Sequence, residues 1–145
     1  MFIFEFVVPT KPVPKARPRF ARNRAGGVCV FSDRATASHE NLVAIYCRRA
    51  MSSRGMHLFP IDCATHVDLS FFLRRPLRPK ADHPIGDPDL DNLIKCALDG
   101  IVKAGAIADD SRIVQISACK AWAARPESRI RLIALQGALL PAPIQ

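Results

Sequence analysis

The stretch Gly86-Asp87-Pro88-Asp89-Leu90-Asp91-Asn92-Leu93-Ile94-Lys95 opens the most regular helical pattern in this chain of 145 residues. From Asp89 to about Ala104, apolar residues recur at the three- and four-residue spacing of one helix face, and Gly105 follows as a stop signal. The sequence therefore predicts a helix whose first turn carries Asp89 and Asp91.

Acidic residues are concentrated around this helix. Seven of the 13 acidic residues lie within 82–110, although the formal net charge of the chain is +8. Helix capping explains one Asp, because the free N–H groups and the helix dipole attract a carboxylate. The run of Asp87, Asp89 and Asp91, followed by Asp109-Asp110 after the helix, exceeds what capping requires. Since carboxylate oxygens suit a hard cation such as Mg²⁺, we interpret the run as a metal site, and we expect the chain to fold back and bring Asp109-Asp110 near it.

Basic residues form two clusters in proline-rich segments. Lys and Arg outnumber the acids by 21 to 13, which favours nucleic acid or another polyanion as a partner. Proline holds such loops extended. We therefore interpret the clusters as contacts to a nucleic-acid backbone rather than as a solvated face. The first cluster holds Lys11, Lys15, Arg17, Arg19, Arg22 and Arg24, and the second, in the loop from Arg74 to Lys80, includes Arg74 and Arg75.

The remaining pattern predicts one α+β domain over residues 1–137 and an extended, proline-rich tail over residues 138–145. Two helices should pack on a mixed or antiparallel sheet, with the element order β-(β)-α-β-α-β-β. Period-two patterns place strands near residues 2–8, 28–31, 64–73, 113–122 and 128–135. A helical pattern over 36–51 carries a partly apolar stripe formed by Leu42, Ile45, Tyr46 and Arg49.

The five cysteines indicate a reducing compartment. Their number is odd and no two have CxxC spacing, so a zinc ribbon and a disulfide framework are both disfavoured. No run of apolar residues is long enough for a membrane span, and the start of the chain lacks the charge pattern of a signal peptide. We expect a cytoplasmic protein with no membrane partner. The four histidines have no ligand spacing, and we interpret each as structural or incidental.

Lys95 admits two interpretations. It lies one helical turn after Asp91 and one turn before Asp99. The first interpretation is that it forms i,i+4 ion pairs with them, worth roughly 0.3–0.5 kcal/mol each on an exposed helix. The alternative is that it contacts a phosphate beside the metal. The second interpretation makes it part of a catalytic site.

Several motifs in one order resemble the RusA-type Holliday junction resolvases of bacteria and their prophages. They are the basic segment 12–19, the segment 88–95, Leu98-Asp99-Gly100, the segment 109–113 and Lys120-Ala121-Trp122. The resemblance implies an α+β homodimer that requires Mg²⁺, with Mn²⁺ as a possible substitute and no small-molecule cofactor. It also implies that Asp89, Asp91 and Asp110 are the catalytic, metal-binding carboxylates, that Lys95 is the active-site lysine, and that Lys120 contacts DNA. Arg112, where the family often has Gln, departs from the pattern.

The function expected from these residues is cleavage of four-way DNA junctions by paired symmetrical nicks, in DNA recombination and repair. The metal would polarise the scissile phosphate and activate a water, and a two-fold dimer would match the approximate symmetry of a junction. Two alternatives remain: a metal nuclease for other branched DNA, and a non-catalytic DNA-binding or regulatory protein.

Overall fold

A four-stranded mixed sheet organises the chain, and the computed structural model describes residues 1–31 and 33–135. The predicted tail at residues 138–145 lies outside the described residues. The prediction of an α+β fold with two helices is confirmed. The elements are β1 (Phe2–Val8), β2 (Arg19–Arg22), β3 (Val28–Phe31), α1 (Arg34–Arg54), β4 (Thr65–Arg74), α2 (Leu90–Ala104), β5 (Ile113–Ala123) and β6 (Glu127–Ala134), with short 3-10 turns at Met56–Leu58 and Asp110–Arg112.

The strand order in the sheet is β1-β6-β4-β5. β6 pairs antiparallel with both β1 and β4, whereas β4 and β5 are parallel. Alternate residues of β4, including Val67, Leu69 and Phe71, are buried against the helices, as the period-two pattern predicts. Because β4 and β5 are parallel, α2 is the crossover connection between them.

α1 differs from its prediction in length and in its buried face. The helix extends to Arg34–Arg54, and its buried positions include His39, Val43 and Cys47. Ile45, assigned to the apolar stripe, is 49% exposed. The face is shifted because small and polar side chains along α1 fill the contact with α2 and the sheet, and hydropathy alone does not identify such residues as buried.

The proline-rich segment that holds the first basic cluster, expected to be an extended loop, contains a further strand at Arg19–Arg22. β2 pairs antiparallel with β3 in a separate two-stranded ribbon, so the observed order begins β-β-β before α1. The predicted strand at 28–31 is therefore confirmed, but its partner is this extra strand and not the main sheet.

α1 and α2 approach closely at Gly100. A Cβ built on Gly100 would lie 2.6 Å from the Cβ of Val43, closer than two carbon atoms can pack. The absence of a side chain at this position therefore sets the distance between the helices. Among the described residues, no helix is long and apolar enough to cross a membrane.

Candidate active site

Asp89 is at the start of α2, but its carboxylate does not cap the helix. It is the N-cap residue, and its side chain makes no capping hydrogen bond. Asp33 offers a comparison within the same chain, because its carboxylate accepts a 3.2 Å hydrogen bond from the Thr36 N–H at the start of α1. Asp91 follows in the first turn of α2, and the side chains of Asp89 and Asp91 are both exposed. Capping therefore does not account for Asp89, and both carboxylates face solvent.

The loop before α2 is held by Lys120 on β5. The Lys120 ammonium donates hydrogen bonds to the carbonyl oxygens of Gly86 at 2.6 Å and Pro88 at 2.9 Å. Gly86 has a φ of +91°, a region that L side chains rarely adopt. Nearby, the Trp122 indole N–H donates to the carbonyl of Ala81 at 3.1 Å. Lys120 and Trp122 thus hold the segment before α2 that carries Asp87 and Asp89, which we call the acidic loop. Lys120 was predicted as a DNA contact, and in this structure its ammonium is bound to this loop.

A cleft of about 500 Å³ lies between the acidic loop and the first basic cluster. The backbone N–H of Lys15 donates to the carbonyl of Asn92 at 2.8 Å, which joins the first basic cluster to the first turn of α2. On its acidic side the cleft is lined by Asp87, Pro88, Asp89 and Asn92, and on its basic side by Lys11, Pro12, Pro14, Lys15, Ala16 and Arg17. The cleft is thus lined by both carboxylates and cations.

Lys15 joins the segment 11–17 of the first basic cluster, which we call the basic loop, to both helices. Its ammonium lies 2.6 Å from Glu40 Oε1 on α1 and 2.8 Å from Asp99 Oδ2 on α2. These two carboxylates, Asp99 first, raise the pKa of Lys15 far above its ordinary value. Thr36 adds a further tie, because its hydroxyl accepts from the Ala16 N–H at 3.0 Å. Lys15 was predicted as a DNA contact, whereas in this structure its charge is matched within the protein.

Lys95 has no ion-pair partner within 4.0 Å among residues 1–31 and 33–135. Asp99, which the i,i+4 interpretation offered as its partner, is bound to Lys15 instead. The Lys95 side chain is exposed on α2, one turn after Asp91. Its ammonium is therefore available to an anion that approaches the start of the helix.

Asp110 lies at the opposite end of α2 from Asp89. The 15 residues of α2 span about 22 Å, and its C-terminal end meets Ile61, whose N–H donates to the Ala106 carbonyl at 2.9 Å. β5 begins at Ile113, directly after the 3-10 turn that contains Asp110, and Lys120 stands about 23 Å further along the strand. Within one chain the expected folding back does not occur, since roughly 20 Å separates Asp110 from Asp89. Accordingly, the described part of the chain contains no group of three His, Cys, Asp or Glu side chains that could hold a metal ion.

The two residues of the Asp109-Asp110 pair have different environments. The Asp109 carboxylate accepts the Ser111 N–H at 2.9 Å, and hydrogen bonds from Ser111 lower the pKa of Asp109. Arg112, the departure from the family pattern, pairs with Asp62 at 2.7 Å. Both carboxylates are exposed, and that of Asp109 stabilises the turn through its hydrogen bond with Ser111.

Comparison with known proteins identifies the family. The family model described as endodeoxyribonuclease RusA matches residues 9–133 of the chain. The chain belongs to the RusA family. RusA proteins are Holliday junction resolvases, so this protein is an endodeoxyribonuclease of that class. Nucleases of the RusA family are metal-dependent and bind branched DNA. No curated protein matches the chain in a sequence search.

The remaining basic residues predicted to bind DNA are exposed in this RusA protein. Arg74 and Arg75 lie where β4 ends, and the Arg75 N–H donates to the carbonyl of Ala123 at 3.0 Å. The other members of the first cluster with exposed side chains are Lys11, Arg17, Arg19, Arg22 and Arg24. The supporting residues that sequence reasoning missed are Glu40 and Asn92, because nothing in their local pattern indicates a contact with a distant loop.

Proposed function

We propose that this RusA-family protein resolves four-way DNA junctions as a homodimer, by paired symmetrical nicks that depend on Mg²⁺, in DNA recombination and repair. The observation that carries the proposal is the cleft lined by the uncapped Asp89 and by Lys11 and Arg17 of the first basic cluster, with the exposed Asp91 two residues after Asp89. A bacterial or prophage origin and a cytoplasmic location remain predictions.

The donor set at the start of α2 fits Mg²⁺. Asp89 and Asp91 offer exposed carboxylate oxygens, and Mg²⁺ is usually bound by one or two carboxylates together with waters and substrate phosphates. Mn²⁺ accepts the same ligands. When bound, the metal would polarise the scissile phosphate and lower the pKa of a bound water. Asp110 completes the proposed ligand set.

The chain's own basic residues would orient the DNA. Lys95, one turn after Asp91, would neutralise charge on the oxygens of the scissile phosphate. Lys11 and Arg17 would hold the backbone of the same strand from the other side of the cleft. Such contacts are made to phosphates and fix position without reading sequence.

A homodimer would resolve the separation of Asp110 from the other two carboxylates. Because roughly 20 Å of helix lies between Asp89 and Asp110 in one chain, we propose that Asp110 of the partner subunit acts at the site of Asp89 and Asp91. A two-fold pairing would form two such sites at once, which suits a substrate that must be cut on two opposed strands.

A complementation experiment tests the proposed site and the dimer together. Asp110→Asn and the double variant Asp89→Asn/Asp91→Asn should each fail to cleave a four-way junction in Mg²⁺. If Asp110 acts across the dimer, a mixture of the two variants forms heterodimers with one intact site, and these nick one strand. The control is a mixture of Asp89→Asn with Asp91→Asn, whose heterodimers contain no intact site and should stay inactive.

Several outcomes would count against the proposal. Nicking by Asp110→Asn alone would remove Asp110 from the site, and an inactive mixture in which subunit exchange is demonstrated would place all three carboxylates in one subunit. Equal cleavage of flaps or nicked duplex would redirect the substrate assignment to branched DNA in general. Cleavage that persists in EDTA would contradict the metal requirement.

A further inference from the structure

The β2–β3 ribbon (Arg19–Phe31) forms an arm with an ordered tip. Its turn is closed by Asn23, whose side-chain oxygen accepts the Gly27 N–H at 2.7 Å and whose own N–H donates to the Gly27 carbonyl at 2.9 Å. Gly26 at the tip has a φ of +82°, which glycine adopts without strain. The arm therefore has a defined conformation with which to present its side chains.

One face of this arm is apolar and exposed to solvent. Phe20 and Val30 are directly opposed in the register, and Arg22 opposes Val28 on the same face. Phe20 is 71% exposed, and Val28 and Val30 are 63% and 62% exposed. An isolated two-stranded ribbon is marginally stable in water, and an exposed apolar face on one marks an interaction surface.

The charge around this face has one sign. No acidic residue occurs between Lys11 and Phe31, whereas Arg19, Arg22 and Arg24 all lie on the arm or its tip. Pairing of the same face with that of a second copy would bring the Arg22 side chains of the two copies together, which like-charge repulsion opposes. An aromatic ring among arginines matches nucleic acid, where bases stack on the ring and phosphates pair with the guanidinium groups.

The arm begins at the border of the active-site cleft. Arg17 lines the basic side of the cleft, and Phe20 follows three residues later, at most about 10 Å along an extended chain. This distance corresponds to a few nucleotides of a DNA strand bound in the cleft. A base that contacts Phe20 therefore lies close to the phosphate that would be cut.

We propose that the β2–β3 arm is a wedge for branch points, in which Phe20 stacks on a base that has lost its stacked neighbour. The inference rests on the proposed function, because it places the branch point next to the cleft. Stacking on an aromatic ring tolerates any base, so the arm distinguishes DNA shape without reading sequence. In continuous duplex every base is stacked, and the ring has nothing to bind.

The test measures binding without cleavage, in EDTA, with the full chain. Phe20→Ala should weaken binding to a four-way junction by roughly five- to a hundred-fold, the loss that follows from removal of one base–aromatic stack. Its affinity for continuous duplex should stay at the wild-type value, because the arginines are retained. Phe20→Trp should keep junction affinity, and Met56→Ala, which removes an apolar side chain 53% exposed outside the arm, should behave as wild type.

Three results would overturn the proposal. The first is wild-type junction affinity in Phe20→Ala, and the second is an equal loss of affinity for junction and duplex. The third is a change in oligomeric state in Phe20→Ala on a sizing column, which would assign the ring to a contact between subunits. If wild-type protein does not cleave junctions in Mg²⁺, the proposed function fails, but the EDTA measurements still decide the role of the arm.

Discussion

Lys15 Nζ lies 2.8 Å from Asp99 Oδ2, so an ammonium from the basic loop is bound to the helix that begins at Asp89. The same ammonium reaches Glu40 on α1 at 2.6 Å. The loop that faces the acidic side of the cleft is thus fixed to both helices by one side chain. Lys15 is a positioning residue in this structure, and the neighbouring Lys11 and Arg17 are the residues of this loop that we propose to contact DNA.

Lys15→Met should impair cleavage more than binding. The loop would lose its ion pairs to α1 and α2 and keep only the backbone hydrogen bonds to Thr36 and Asn92. We therefore expect kcat on a junction to fall by about tenfold while duplex affinity changes little, since misplacement of a bound strand costs rate. We expect a loss of about 1 kcal/mol in the free energy of unfolding, because Asp99 is partly exposed and solvent screens the pair. The raised pKa of Lys15 means that this stabilisation is fully present below pH 10.5, the unfolded value, and is lost only as the pH rises above it.

Single-turnover cleavage and chemical denaturation at pH 7 and pH 9 check this prediction. Lys15→Arg keeps the charge and serves as the matched control. An unfolding difference between wild type and Lys15→Met that disappears between pH 7 and pH 9 would contradict the assigned cause.

Asp33 and Asp89 should respond oppositely to loss of the carboxylate. Asp33→Ala removes a cap from α1 and should cost about 1 kcal/mol of stability with little effect on the chemical step. Asp89→Asn removes no capping bond, so stability should be unchanged while cleavage falls by at least about a hundredfold. Thermal melting and junction cleavage of the two variants, measured together, make the comparison. Destabilisation of Asp89→Asn equal to that of Asp33→Ala would show that Asp89 caps α2 after all.

Lys120→Met should disorder the acidic loop. Two carbonyl oxygens, those of Gly86 and Pro88, would lose a charged donor, and we expect Mg²⁺ affinity and cleavage to fall together by about ten- to a hundredfold, as when a support of a metal ligand is removed. The measurement is cleavage rate against Mg²⁺ concentration, compared with the salt dependence of DNA binding. If Lys120 contacts a phosphate instead, the slope of log affinity against log salt concentration should decrease in magnitude by about 0.9 while the Mg²⁺ dependence of cleavage stays unchanged. That result would show that Lys120 is a DNA contact.

His39 should make the fold sensitive to acid. His39 is on the buried face of α1 and is 4% exposed, and this burial lowers the pKa of its imidazole. The unfolded chain then binds a proton near pH 6.5 that the folded chain does not, so stability falls as the pH drops below that value, by at most about 1.4 kcal/mol per pH unit. Urea denaturation between pH 7.5 and pH 5 measures the slope, and His39→Gln should flatten it. An unchanged slope in that variant would assign the acid sensitivity to other groups.

The two ends of α2 could be predicted from the sequence, but the ion pairs that join the basic loop to α1 and α2 could not. The Asp-rich start and Gly105 mark both ends of α2, because caps and stops are local signals. The partners of Lys15 are 25 and 84 positions away, at Glu40 and Asp99, and no local pattern reveals such contacts.

The separation of Asp110 from Asp89 was, in contrast, accessible from sequence. A predicted helix of about 15 residues is already about 22 Å long, and one turn after it cannot return the chain to its start. The buried face of α1 was missed because His39 and Cys47 are buried for reasons of fit with neighbouring elements, which hydropathy does not measure.

Gly100 connects helix packing to the geometry of the cleft. A Cβ atom built on Gly100 would lie 2.6 Å from the Cβ of Val43 and 3.1 Å from the carbonyl oxygen of Glu40. Glu40 and Asp99, the residue before Gly100, supply the two carboxylates that Lys15 bridges. A methyl group there would force α1 and α2 apart, and one ammonium would no longer span Glu40 and Asp99. The missing side chain at Gly100 therefore sets the spacing of α1 and α2. Through the two ion pairs of Lys15, this spacing also determines the position of the basic loop relative to the acidic loop.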